Sequence, residues 1–213
     1  RRRGDATVTE EPATTDNPMM TDDATTTDDG TTSESTVSDD VAQKLVVTGT
    51  PGTGKTTATE QLAGDTDAEI IHLNDAIREF GLYSERDAER DSLVTDLDAV
   101  REHLGEWRGI LESHLAHHVD ADRVVVLRCE PSELETRLRD RGDTDAKARE
   151  NAESEALDVV LSEAVDQHGA EAVYEIDTTD REPSEVAAEI AAVRNGDREP
   201  DAGGVDFTGY LVG

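Results

Sequence analysis

The sequence is short of aromatic residues, of lysine and of cysteine, and each shortage excludes something. Three Tyr, two Phe and one Trp are its only aromatics in 213 residues. A core must therefore come from Val, Leu, Ile and Ala. A single cysteine, Cys129, rules out an intramolecular disulfide. It follows the apolar run Val124–Leu127 and reads as a small core residue. No apolar run approaches the roughly 20 residues of a membrane span. The start carries no charged-then-apolar leader, so a soluble, cytoplasmic protein with no membrane partner is expected. The chain begins at Arg1, and Met19 and Met20 stand as candidate initiators.

Positive charge is scarce too. Twenty Lys+Arg face 51 Asp+Glu, a formal net charge of −31. Lysine occurs only at 44, 55 and 147. Residues 1–40 hold 3 basic and 11 acidic residues, so −8 sits there and −23 on the remainder. Such self-repulsion weakens a fold in dilute buffer. At molar salt the Debye length falls to about 3 Å and the repulsion is screened. The composition fits the cytoplasm of a salt-in halophile. Without a basic patch, direct stable nucleic-acid binding is not expected; a basic protein is the electrostatically natural partner.

Residues 1–40 are rich in Thr, Asp, Ser and Glu and almost lack large apolar side chains, which predicts a disordered acidic tail. From Lys44 onward, β-branched runs alternate with helical patterns. Strands are expected at 44–48, 69–73, 109–112, 123–128 and 172–177. Helices are expected at 55–62, at 74–80 with Asn74 as cap, at 98–104, at 132–141 with a Ser132/Glu135 capping box, at 144–168, and at 183–195. Residues 83–92 read as a loop. This alternation predicts an α/β domain over 41–195, its parallel sheet covered by helices on both faces. Residues 196–213 are rich in Gly and Asp, yet carry Val205, Phe207, Tyr210 and Leu211. They are expected to dock on the domain or on a partner.

One segment carries specific chemistry. Gly49, Thr50, Pro51, Gly52, Thr53, Gly54, Lys55 and Thr56 fit G-x-x-x-x-G-K-[ST] without a gap, between a predicted strand and a predicted helix. Such a loop turns backbone N–H groups inward as an anion nest, and the following helix adds its positive end. ATP is the expected ligand. Lys55 should reach the β- and γ-phosphates, and the Thr56 hydroxyl, with Thr57 beside it, should help hold Mg²⁺. A GTPase would need an Asn-Lys-x-Asp motif, which is missing. The chain is too short for motor or transporter machinery, leaving a small kinase.

Further residues narrow the class. The loop is followed by Leu-Asn-Asp-Ala-Ile-Arg78-Glu, by Glu112-Ser-His114, by Arg137-Leu-Arg-Asp-Arg141-Gly and by Glu-Asn151-Ala-Glu-Ser-Glu155. Their order and spacing, over Lys44 to Arg194, resemble the CINAP-type adenylate kinases, the sixth adenylate kinase isoenzyme and its archaeal and yeast relatives. The resemblance implies a P-loop, nucleoside-monophosphate-kinase-like three-layer fold with a five-stranded parallel sheet and a short lid. It implies adenylate kinase activity (ATP + AMP = 2 ADP), ATPase activity and a role in small ribosomal subunit maturation, with a basic small-subunit ribosomal protein as partner. Carried over by position, Arg78 would bind the AMP phosphate with Asp75 nearby. Arg137 would stack on adenine, Arg141 would face the phosphates, and Lys147 matches a basic lid position. Glu112 and His114 stand where the family has an Asp-x-His metal and water site. The extra methylene of Glu112 would let it hold Mg²⁺ through water.

Competing readings stay open. Arg78, Arg137 and Arg141 also fit solvated helix charges, and Asp75 an acid in a first helical turn. The small-metabolite kinases share this fold. His117 and His118 read as surface or interface residues, and zinc is disfavoured for want of a cysteine or a patterned carboxylate.

Overall fold

The computed structural model describes residues 42–64, 66–87 and 92–212. The segment expected to be disordered, 1–40, lies outside them. Five strands form one parallel sheet in the order β2-β5-β1-β6-β7. They are β1 (Lys44–Thr48), β2 (Ile70–His72), β5 (Gly109–Glu112), β6 (Arg123–Arg128) and β7 (Val173–Asp177). Each strand alternates its apolar side chains between two cores, as the period-two geometry of a strand requires. Leu45, Val47, Val125 and Leu127 face α1 (Lys55–Ala63) and α7 (Pro183–Asn195), where Leu62, Val186 and Ile190 meet them. Val46, Leu111, Val124 and Val126 face the other way. There they meet α2 (Leu73–Phe80), α3 (Leu97–Leu104) and α6 (Val159–His168) through Leu73, Val100 and Leu161. This three-layer α/β fold is the one expected of a nucleoside-monophosphate-kinase-like chain. Burial on both faces explains the unbroken aliphatic runs.

Four local expectations need correction. Residues 83–92 are not all loop: β3 (Tyr83–Asp87) and β4 (Ser92–Thr95) form an antiparallel hairpin. Its polar sequence hides the strands, because they are paired with each other and not buried in the sheet. Asn74 does not cap α2. The cap position falls two residues earlier, at His72, and the Asn74 Oδ1 instead accepts from Ser113 Oγ at 2.9 Å. The Ser132/Glu135 box is replaced by Glu130, whose carboxylate accepts from the Glu133 backbone N–H at 2.9 Å, with Pro131 opening α4 (Pro131–Asp140).

The expected helix over 144–168 is two, α5 (Asp145–Ala156) and α6, parted by Asp158 at φ 54°. The break has a cause. The Arg128 Nη2 donates both to the Glu155 backbone carbonyl (3.1 Å) and to the Asp158 carboxylate. A continuous helix could not present both acceptors. Asp tolerates the left-handed region better than most residues.

Among the described residues, no helix is long and apolar enough to cross a membrane. Self-repulsion of the acidic charge should make stability depend on salt. Between molar and low-millimolar KCl the melting temperature should fall by about 10 °C, the equivalent of ~3 kcal/mol, as read by circular dichroism. An unchanged value would remove the argument from charge repulsion.

Candidate functional site

The phosphate loop leaves β1 and enters α1 at Lys55. Its backbone demands glycine at two places. Gly49 sits at φ 138°, and a Cβ there would lie 2.4 Å from the Leu127 carbonyl oxygen. Gly52 sits at φ 97°, and a Cβ would press Leu134 at 2.9 Å. The first glycine lets the loop cross the end of β6, and the second lets it rest on α4. Lys55 is buried, and its Nζ donates to the carbonyls of Gly49 (2.9 Å) and Thr50 (3.0 Å). Burial lowers its pKa to about 8, against the opposing pull of Glu112 and Glu155. It remains a cation at neutral pH.

Glu112, at the end of β5, is 3% exposed. Its Oε1 accepts from Thr56 Oγ1 (3.1 Å) and meets His72 Nδ1 (2.9 Å). Its Oε2 is buried without any hydrogen-bond partner. A buried carboxylate oxygen left bare is costly, and the other oxygen of the same carboxylate accepts from the Thr56 hydroxyl. The pair fits a hard cation with oxygen ligands. Glu112 Oε2 and Thr56 Oγ1 are thus the donors that would hold Mg²⁺.

Three adjoining clefts run past this point. The middle one, about 410 Å³, is floored by Lys55, Thr56 and Glu112. On one side it shares Gly52, Gly54, Thr57 and Arg137 with a cleft of about 260 Å³ closed by Thr178 and Val186. On the other it shares Pro51, Asn74, His114 and Arg141 with a wider cleft of about 660 Å³. Arg78, Lys147, Tyr83 and Thr95 line that wider cleft. Three cations, Arg78, Arg141 and Lys147, therefore converge on its walls.

Arg137 is half-buried beside the small cleft, its Nη2 donating to the Thr178 carbonyl at 3.0 Å. Its guanidinium plane is thereby fixed at the cleft wall. Arg141 and Lys147 are more exposed and share one acid, Asp143, at 2.7 and 3.1 Å. His114 is largely enclosed, and burial, with Lys55 next in effect, lowers its pKa to about 4. It is neutral at pH 7 and can accept a hydrogen bond from water or substrate, but it is a weak base.

The structure brings together Gly49 to Thr57, Glu112, His114, Arg137, Arg141, Arg78 and Lys147. Asp75 stays outside: it is exposed and pairs with Arg78 at 3.4 Å. Asn74, Tyr83, Thr95, Thr178 and His72 are site residues that sequence reasoning missed. Tyr83 and Thr95 belong to the hidden hairpin. His72 carried a weak signal, since it lies in the predicted 69–73 strand, and in the structure it ends β2 opposite Glu112 at the end of β5.

The histidines differ from expectation. His117 is buried, not at the surface; its Nδ1 meets Thr48 Oγ1 (2.9 Å) and its Nε2 meets Glu163 (3.0 Å). Glu163 supplies the carboxylate the sequence did not reveal, and His117, His118 and Glu163 are close enough to gather an ion. Both His117 ring nitrogens already have partners, so hydrogen bonding accounts for the cluster.

Residues 45–158 match the family model described as an AAA domain. A Natronomonas pharaonis protein named "Putative adenylate kinase" is 65% identical over 169 residues, 79% of this chain and 99% of that protein. A Halobacterium salinarum protein of the same name is 60% identical over 170 residues, again 79% of this chain and 99% of that one. The chain belongs to their family. The matched span, 45–158, contains the phosphate loop and the positions of Glu112, His114, Arg137 and Arg141. A solved shikimate kinase from Bacteroides thetaiotaomicron superposes with a TM-score of 0.47 at 16% identity, over 72% of this chain and 97% of that one, and adds nothing to the assignment.

Proposed function

We propose that this protein is an adenylate kinase, moving the γ-phosphoryl group of MgATP to AMP. The observation that carries the reading is the continuous groove. A small cleft walled by a fixed guanidinium opens into the phosphate loop, which opens into a wider cleft lined by three cations. A planar base fits the first, a polyphosphate the second, and a phosphorylated acceptor the third. Arg137 stacks on the ATP adenine. Lys55 leaves the Gly49 and Thr50 carbonyls and turns its ammonium to the β- and γ-phosphates. Arg78 and Lys147 hold the AMP phosphate, and Arg141, which lines both phosphate-bearing clefts, neutralises the group in flight.

The AMP phosphate oxygen is already anionic at pH 7, so no general base is needed. That oxygen bonds to the γ-phosphorus as the bridge to the β-phosphate breaks, giving two ADP. Bound Mg²⁺ would neutralise charge across the β- and γ-oxygens. When water replaces AMP, neutral His114 accepts its hydrogen bond and orients it, which supports an ATPase side activity. The decisive experiment is a screen of nucleoside monophosphates and small hydroxylated metabolites as acceptors in molar KCl. AMP should be the preferred acceptor; preference for an unphosphorylated metabolite would overturn the reading.

Arg78→Ala should raise the KM for AMP about tenfold or more and leave that for ATP nearly unchanged, since one charge-assisted phosphate contact is lost at one site. Equal effects on both substrates would make Arg78 structural.

A second reading rests on the resemblance to CINAP-type enzymes and on the acidic surface. It is an assembly-factor ATPase acting in the cytoplasm of a halophile, with a basic small-subunit ribosomal protein as partner. A pull-down in molar KCl that recovers a basic ribosomal protein supports it. Fast AMP phosphorylation with no ribosomal protein recovered favours a metabolic kinase.

A further inference from the structure

The phosphate loop has a tie that none of its own residues provides. Thr50 is 2% exposed, and its Oγ1 donates to the Oε2 of Glu155, a residue of the last turn of α5 that is 3% exposed. Thr50 is the hub of the resting loop. Its carbonyl accepts from Lys55 Nζ (3.0 Å), from Thr53 Oγ1 (3.0 Å) and from the Thr53 backbone N–H (3.3 Å). Whatever fixes Thr50 therefore fixes where Lys55 rests and how the loop turns at Thr53.

Glu155 is itself anchored. Its Oε1 accepts from Arg128 Nε at 2.7 Å and from the Cys129 backbone N–H at 3.1 Å, both at the end of β6. Both oxygens of this buried carboxylate are thus bonded, Oε1 by two donors from the sheet side and Oε2 by Thr50. The same helix α5 bears Lys147 in its first turn, on the wall of the wide cleft. One rigid element thus touches the wall of the acceptor cleft at one end and the phosphate loop at the other.

We infer that Glu155 is a positioning residue for ATP: it holds the loop corner at Thr50 in the form that receives the phosphates, and it does so from the helix that carries Lys147. The inference rests on the reading of this loop as the ATP site. It goes beyond that reading by assigning a role to a residue that touches no substrate. A buried Thr–Glu contact that served stability alone would move the melting temperature and leave nucleotide affinity untouched. A positioning contact moves affinity for ATP in particular.

The test uses the full chain in molar KCl, with ATP affinity and KM values measured for Thr50→Val, Thr50→Ser, Glu155→Asp and the Thr50→Val/Glu155→Asp double variant. Thr50→Val keeps shape and removes the hydroxyl. Thr50→Ser keeps the hydroxyl. Glu155→Asp keeps a charge for Arg128 and withdraws the carboxylate from Thr50. Thr50→Val and Glu155→Asp should each weaken ATP binding about tenfold, with KM for AMP nearly unchanged. Thr50→Ser, which keeps the hydroxyl, should recover most of the ATP affinity that Thr50→Val loses. The double variant should be no worse than the poorer single, as expected of two residues sharing one interaction. Wild-type ATP affinity in Thr50→Val would overturn the proposal, as would additive losses in the double variant. If Thr50→Val does not fold, Glu155→Asp decides: unchanged ATP affinity overturns the proposal, and a selective loss supports it. Lys55→Ala separates the two ideas. If it loses ATP while Thr50→Val does not, the loop reading stands and the positioning role falls. If neither loses ATP, the loop reading itself fails.

Discussion

Lys55→Ala is expected to lower turnover by about a hundred- to a thousandfold, the loss typical of removing one preorganised charge from a developing transition state. The far-ultraviolet circular dichroism spectrum should stay unchanged. The separation follows from where the ammonium sits. Among the described residues it bonds the Gly49 and Thr50 carbonyls. Burial lowers its pKa to about 8, so its charge is held at a cost. Removing a desolvated charge relieves that cost and offsets the two lost hydrogen bonds, so stability changes little. Turnover is different, because no other residue on the loop carries a positive charge to the β- and γ-phosphates. The measurement is ADP formation from ATP and AMP in molar KCl, beside a thermal melt of the same preparation. Turnover near wild type would remove the phosphate-loop assignment. A variant that fails to fold would show that Lys55 holds the loop together in the absence of nucleotide.

Arg128→Ala should bring the largest loss of stability, about 3–5 kcal/mol, because it strands partnered charges in the interior. Arg128 is 1% exposed and donates to Glu155 (Nε, 2.7 Å), to Glu175 and to Asp158. Glu155 and Glu175 are each 3% exposed. Without the guanidinium, two carboxylates remain buried with only backbone and hydroxyl donors. For a domain of this size the melting temperature should fall by about 10 °C. The control is Arg128→Met with Glu155→Gln and Glu175→Gln, which removes the stranded charges together. Recovery of about half the loss would show that uncompensated charge, and not lost packing, is the cause. A melting temperature for Arg128→Ala within about 2 °C of wild type would show that the network is close to neutral for stability.

The sequence made the sheet legible because its strands are buried on both faces and so read as unbroken aliphatic runs. Lys44–Thr48 and Arg123–Arg128 are the clearest cases. The phosphate loop was legible because its glycines answer a steric demand that few other residues can meet. What stayed hidden depends on partners far away in sequence. Among the described residues the Tyr83–Asp87 and Ser92–Thr95 strands pair with each other; the first is mostly polar and the second has just Leu93 and Val94 side by side, so no apolar period betrays them. The break at Asp158 depends on Arg128, thirty positions earlier. His117 looked like one of a pair of exposed histidines because nothing nearby announces Thr48 or Glu163. Asp75 and Arg78 lie three positions apart on one helix, and only the fold shows that the arginine alone reaches the cleft.

The chain's last described residues complete an interior formed much earlier in the sequence. Glu175 Oε2 accepts from the backbone N–H groups of Gly204 (2.7 Å) and Val205 (3.0 Å), and the Phe207 ring lies 5.4 Å from the Arg128 guanidinium carbon. Tyr210 reaches Glu135 on α4 at 3.4 Å. During synthesis the sheet and the phosphate loop emerge first, yet the buried charges around Arg128 remain only partly paired until residues 204–207 have left the ribosome. A chain stalled before that point would expose an open acidic pocket behind its nucleotide site. Nascent chains released at successive lengths should therefore gain protease resistance in one late step, at the length where Phe207 clears the exit tunnel.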